Sequence, residues 1–223
     1  MRLSRTRSAL RRVGILDVLT LCILLVSVAL LVRPGSAIHS SFNRWITIRS
    51  IERDVGAQWD DLADAAMPLY DTPGTPEVIE FLDYECPFCR AASPSVDSAV
   101  AAGLRVAIIH LPIPTHQVAM PAAIATVCAS RVGRGHDAHH LFISTSAWRA
   151  DTALSGLPDI AVFATIPAFA SCMEHGDAER QVEQHLALAT QLGIRQTPVF
   201  VSRHSMLREV PTMQSLLALA VSR

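Results

Sequence analysis

An apolar run, Val78 to Leu82, is followed four residues later by Cys86-Pro87-Phe88-Cys89. This junction admits few folds. Pro87 has no N–H to lose at a first helical position and its φ is already helical, so the run reads as a strand feeding straight into a helix. Cys86 then stands at the helix N-terminus, where unpaired N–H groups and the positive end of the macrodipole favour an anion. A thiolate is such an anion, so the sequence predicts a depressed pKa for Cys86 and the attacking role for its sulfur. Cys89 falls on the same helix face one turn deeper, placed to resolve a mixed disulfide on Cys86.

Two other readings of the pair stand beside this one. C-x-x-C is half of a zinc site, and two cysteines can form an inert bridge. A zinc ribbon needs a second pair at suitable spacing, whereas Cys22, Cys128 and Cys172 are scattered singly. The histidine cluster, His136-Asp137-Ala138-His139-His140, reads as a solvated helix face. The strand–Cys-Pro-x-Cys–helix context favours the redox pair.

The N-terminus sets the compartment. Arg2, Arg5, Arg7, Arg11 and Arg12 form a basic tail over residues 1–12, followed by an apolar stretch over 13–32 broken only by Asp17. The stretch is long enough to read as a transmembrane helix. The arginines ahead of it outnumber Arg33 and Arg44 behind it, so the tail is expected in the cytoplasm and the remainder outside. A cleaved signal peptide, with Gly35-Ser36-Ala37 as its small-residue site, is the alternative. Cys22 reads as an apolar filler. Outside the cytoplasm disulfides persist, which suits thiol exchange better than metal storage. The formal net charge of −1 gives no reason to expect a nucleic-acid partner.

Residues 33–67 read as a linker, Pro34 to about Asn43, and an amphipathic extension. In the extension Trp45, Ile46, Ile48, Ile51, Val55, Trp59, Leu62 and Ala66 make a rough helical stripe, one helix or two packed on the domain. A membrane-surface or partner helix is the alternative. Pro68 to Pro76 is dense in turn formers and reads as a loop. After the strand comes a helix from Pro87 to about Ala102, interrupted by Pro94 and ended by Gly103. Leu104 to His110 reads as a buried parallel strand.

Leu111 to His116 is a loop, and from Gln117 to His175 no strand signal is found. Helices are expected over Val118–Val132, Asp137–Trp148, Leu157–Phe163, Ile166–Met173 and Asp177–Leu192, the last closed by Gly193. Strand character returns over Ile194–Val201, where Thr197-Pro198 permits a cis bond. Met206–Val210 is expected to pair with it antiparallel, and Pro211–Val221 to form the terminal helix.

This order of strand, Cys-Pro-Phe-Cys, helix, strand, helical block, Thr-Pro, strand pair and helix resembles the DsbA-like branch of the thioredoxin superfamily. The resemblance covers about Pro68 to the C-terminus; C-x-x-C or Thr-Pro alone would not be specific. It implies an α/β thioredoxin fold over residues 68–223, with a helical insertion at about 117–192 between the βαβ and ββα halves. It implies Cys86 as nucleophile, Cys89 as resolving cysteine, and Pro198 as a cis-proline facing them with Thr197 before it. An ordinary trans proline opening an edge strand is the alternative. Glu80 matches a buried acid that relays the Cys89 proton, against a glutamate facing solvent. Cys128 and Cys172 match a structural disulfide, against two buried free thiols. Asp83 and Glu85 are expected on the surface, and His110 and His116 at the rim of the site in structural roles.

The sequence departs from the enteric Cys-Pro-His-Cys pattern at Phe88. A ring without charge leaves the thiolate to the helix terminus, so a weaker oxidant is expected. The resemblance implies a thiol–disulfide oxidoreductase acting most readily as an oxidant, and the N-terminal pattern, which lies outside the resemblance, adds the expectation of a single-pass membrane anchor and an extracytoplasmic domain. The expected partners are exported cysteine-containing polypeptides, a membrane redox partner (a quinone-linked oxidase or an electron donor), and the membrane itself through the N-terminal helix. No cofactor or metal is expected. A reductase or isomerase on the same fold, and a non-enzymatic metal-binding or chaperone module, are the alternatives.

Overall fold

The computed structural model describes residues 14–33, 36–68, 74–150 and 158–222. The basic tail over 1–12, Pro34-Gly35, the 69–73 part of the turn-rich loop and Leu157 lie outside the described residues. The chain divides into two compact units, Met1–Ile48 and Arg49–Arg223.

In the first unit, helix α1 (Ile15–Val32) opens where the Asp17 carboxylate accepts the Gly14 N–H at 3.0 Å. Helix α1 occupies Ile15–Val32 of the apolar stretch expected to span a membrane over 13–32, and that expectation finds no support in the structure. Among the described residues no helix is long and apolar enough to cross a membrane. Helix α2 (Ala37–Ala57) replaces most of the expected linker. The Ser36 hydroxyl accepts the His39 N–H at 3.1 Å, the contact of a serine N-cap, and so starts the helix earlier than the hydrophobic pattern indicated.

The second unit takes in the last turns of α2. Ile51 and Val55 are buried there, as are Trp59 and Leu62 on α3 (Trp59–Ala65). The expected stripe over 44–66 is thus two helices. It is buried only from Ile51 onward, while Trp45 and Ile46 are exposed. The compact unit accordingly begins before residue 68. A short strand, β1 (Met67–Pro68), stands where the turn-rich loop was expected to begin and pairs antiparallel with Ala107 and Ile108 of a later strand.

Strand β2 (Val78–Leu82) is buried at every residue and leads to α4 (Pro87–Ala101). Cys89, Ala92, Val96 and Ala99 make the buried stripe of α4, one residue every three or four. Pro94 lies inside the helix without ending it. The stop comes at Gly103, with φ of 98°, where a side chain would be strained. Strand β3 (Val106–His110) runs parallel to β2, with Glu80 opposite Ile108 and Leu82 opposite His110. Both strands are buried at every residue, as strands covered on both faces are.

The helical block comprises α5 (Ala119–Arg131), α6 (Gly135–Ser144), a 3-10 turn (Ala147–Ala150), α7 (Pro158–Ala164), α8 (Pro167–His175) and α9 (Asp177–Gln191). α6 ends short of Trp148. The indole N–H donates to the carbonyls of Phe142 and Thr145, at 3.1 and 3.0 Å, and folds the chain back. Cys128 on α5 and Cys172 on α8 form a disulfide.

The chain then re-enters the sheet. Strands β4 (Val199–Val201) and β5 (Met206–Leu207) are antiparallel to their neighbours, giving the order β1-β3-β2-β4-β5. Helix α10 (Met213–Val221) follows. Pro211 precedes its N-cap, Thr212, whose hydroxyl accepts the Ser215 N–H, so the helix begins two residues later than expected. Phe81, Ile108 and Phe200 are completely buried at the sheet. Full burial of such side chains stabilises by about 1.5–3 kcal/mol each.

Candidate active site

The site is assembled from two junctions 111 residues apart. β2 ends at Leu82, and the turn Asp83-Tyr84-Glu85 delivers Cys86 to the N-cap of α4 with extended backbone, φ −67° and ψ 120°. Pro87 takes the first helical position, as its fixed φ requires. From the other side, the chain enters β4 through a cis Thr197-Pro198 bond. The Cys86 Sγ lies 3.4 Å from the Thr197 carbonyl oxygen, to which the thiol donates. Both Cys86 and Cys89 are free thiols, and both are buried.

The two sulfurs are electrostatically unlike. The Cys86 thiol is lowered to about 5, chiefly by a hydrogen bond from the Cys89 thiol. The Thr197 side chain and the backbone N–H groups of Cys89 and Phe88 add to this, against the opposing effect of burial. Cys89 is pushed well above its ordinary value by burial, by its bond to Cys86 and by the charge of Glu80, while the Asp83 N–H works the other way. Near neutral pH the pair therefore holds one thiolate, on Cys86, and one proton, on Cys89.

Glu80 lies in the middle of β2, 2% exposed, opposite Ile108 on one side and Phe200 on the other. Burial raises its carboxyl to about 8, and the nearby charges of Cys86 and Asp97 add to the rise. Oε1 has no hydrogen-bond partner. It is thus a carboxyl held largely protonated at neutral pH and electrostatically coupled to both cysteines, a suitable store for the Cys89 proton.

Beside the sulfurs is a groove of about 430 Å3 lined by Phe88, Thr197, Pro198, Arg208 and Val210 among others. Phe88 is 62% exposed, so the residue between the cysteines presents a ring to anything in the groove.

Asp83 and Glu85 are not the surface residues expected. Asp83 is 1% exposed and accepts from the Glu85 and Ile113 N–H groups and from His116 Nδ1. Glu85 accepts the N–H groups of Val118 and Ala119, at 2.7 and 2.9 Å, capping the start of α5. Arg149 donates to the carbonyls of Tyr84 and Glu85. The turn before Cys86 is therefore gripped by the helical block at several points. An Asp followed two residues later by an N–H it can accept is a recognisable turn signal; Arg149 left no sequence signal, being 64 residues from Glu85.

The histidines also depart from expectation. His139 is buried and meets the Tyr84 hydroxyl at 3.2 Å, while His136 and His140 keep to the exposed face. His110 is wholly buried, not at a rim, and packs against Tyr84 and His185. His185 accepts the His110 N–H and donates to the Ala65 carbonyl, tying α9 to β3 and α3. Among the described residues no group of three or more His, Cys, Asp or Glu is arranged to hold a metal ion.

A comparison with known families decides the class: the thioredoxin family matches residues 71–219. The chain belongs to the thioredoxin family. The placing of α5–α9 between β3 and β4 is the DsbA-like variant of its fold, and the family is one of thiol–disulfide oxidoreductases. The chain is similar to a thioredoxin-like oxidoreductase from Silicibacter pomeroyi, 28% identical with a TM-score of 0.55, over 65% of this chain and 83% of that one. It shares its fold with the thiol-disulfide exchange protein alpha-DsbA2 of Wolbachia pipientis, at 18% identity and a TM-score of 0.65, over 77% and 96% of the two chains. A Proteus mirabilis ScsC variant is similar over 96% of this chain and 97% of its own, at 16% identity and a TM-score of 0.64. No curated protein matches the chain.

Proposed function

We propose that this thioredoxin-family protein is an extracytoplasmic oxidant that passes a disulfide to exported polypeptides. The observation that carries the reading is the contrast between the two sulfurs: Cys86 is lowered to about 5 beside Thr197-Pro198, and Cys89 is held protonated. A substrate thiolate attacks the Cys86 sulfur of the oxidised pair. The Cys86–Cys89 bond breaks, the electron pair leaves on Cys89, and the Glu80 carboxyl supplies the proton. A second substrate thiolate then attacks the substrate sulfur and expels Cys86 as a thiolate. Substrate becomes disulfide and the protein becomes dithiol.

Support for the direction comes from Cys86, the sulfur expelled in the last step. A thiolate stabilised to about 5 lies between thioredoxin, about 7, and DsbA, about 3.5. The more stable that thiolate, the more the dithiol form is favoured and the stronger the oxidant. Pro198 has no N–H and lines the groove with Thr197, where an extended substrate would lie. The Cys128–Cys172 disulfide supports an oxidising compartment. Regeneration then calls for a membrane partner that accepts two electrons and two protons.

The test is a redox titration of the full chain against glutathione. The expected potential lies between about −270 and about −120 mV. A value at or below the thioredoxin end favours a reductase instead. With Cys89→Ser, exported proteins should be trapped on Cys86; loss of a bound metal as the sole consequence would refute the exchange reading.

A further inference from the structure

Asp83 joins both sulfurs to a loop that sequence order places far from them. Its carbonyl oxygen accepts the Cys86 N–H at 3.1 Å. Its own N–H is the group that favours ionisation of Cys89. Its side chain is completely enclosed, and accepts from Glu85 N and Ile113 N at 2.7 Å each and from His116 Nδ1 at 2.8 Å. Ile113 and His116 belong to the loop between β3 and α5. His116 remains 29% exposed, so it closes the carboxylate off from solvent on one side. A carboxylate taken from water needs such donors, and three converge here. Neither the nucleophile nor the proton store accounts for this arrangement.

We propose that Asp83 is the positioning residue of the Cys89 step and that His116 holds Asp83 in place. The proposal rests on the exchange reading above and deepens it. With its carboxylate anchored to the 111–116 loop, the backbone at Asp83 cannot turn, and its N–H stays aimed at the Cys89 sulfur. Cys89 is the sulfur that leaves when substrate is oxidised, and the one that attacks in the reverse direction. A fixed N–H donor lowers the barrier both ways, because the charge on that sulfur is the same in each. Asn at position 83 keeps the shape but sets an NH2 against N–H donors, which frees the turn.

The experiment follows the reduced full chain with oxidised glutathione. Cys86 first forms a mixed disulfide and releases one glutathione. Cys89 thiolate then attacks Cys86 and expels the second. In Asp83→Asn the second step should slow by about tenfold, clearly more than the first, and its pH profile should move to higher pH. His116→Ala should reproduce the defect, and His116→Asn, whose side-chain NH2 takes the place of Nδ1, should restore the rate. An unchanged second step in folded Asp83→Asn, or an equal fall in both steps, overturns the proposal. Should Asp83→Asn not fold, the His116 pair decides: a His116→Ala rate equal to that of the parent overturns it. If the parent itself forms no mixed disulfide, the exchange reading fails, and that shows before any variant is compared.

Discussion

The sulfur of Cys86 and the carbonyl oxygen of Thr197 lie 3.4 Å apart, although 111 residues separate them in the chain. That contact brings together the start of α4 and the entry to β4, and it places the Cys86 thiol beside the groove lined by Phe88, Thr197 and Pro198.

Cys86 should titrate at about 5 in the reduced protein, read from the pH dependence of its alkylation. Cys89→Ala should raise that value most, since the Cys89 thiol is the largest stabiliser of the thiolate. Thr197→Val keeps the branched shape, removes the hydroxyl, and should raise it by less, about one unit. The opposite ranking would mean that Thr197, not the second cysteine, governs the thiolate.

Glu80 should weaken the fold as pH rises. Its folded value is about 8 against 4.5 unfolded, so between these pH values the folded state binds more protons and stability falls. Glu80→Gln removes the penalty. In denaturant titrations the variant should match the parent near pH 4 and exceed it by on the order of a few kcal/mol near pH 8. Its resolution of mixed disulfides should slow by at least about tenfold, because the store for the Cys89 proton is gone.

The buried histidines act in the other direction. Burial lowers His110 and His185, and lowers His139 to about 3. Below pH 6.5 the unfolded chain takes up protons that the folded chain refuses, so stability falls on acidification. Each group contributes up to about 1.4 kcal/mol per pH unit until its folded value is reached. His139→Gln should flatten the acid limb by one proton's share, measured as the change of unfolding free energy with pH.

The Cys128–Cys172 disulfide joins α5 to α8 across 44 residues. Replacing both cysteines with alanine should cost about 4 kcal/mol in the chain-entropy account, read as a lower denaturant midpoint. Alkylation of Cys86 in the folded variant should stay at the parent rate.

Local chemistry carried a large part of this protein in the sequence. Val78–Leu82 had to be a strand and Pro87 had to open a helix, because apolar continuity and a fixed φ act over a few residues. The same holds for Gly103 and Gly193, which end α4 and α9 at positive φ. Helix α2 starts before its hydrophobic pattern does because a serine cap outweighs the polarity of the residues after it. Asp83, Glu85 and His139 are not on the surface, because charge is a sound guide to exposure only when no partner waits inside. Their partners are Ile113 and His116, the first N–H groups of α5, and Tyr84.

The sequence by itself determined where the thiolate forms, since the Cys89 thiol that chiefly lowers Cys86 and the backbone N–H groups that add to it lie within three residues of it. Only the tertiary structure decided how the two sulfurs differ, where their proton is stored, and which loop holds them. Burial, low dielectric and donors from distant segments set those properties, and none of them exists until the sheet and the helical block have closed around the turn at Asp83.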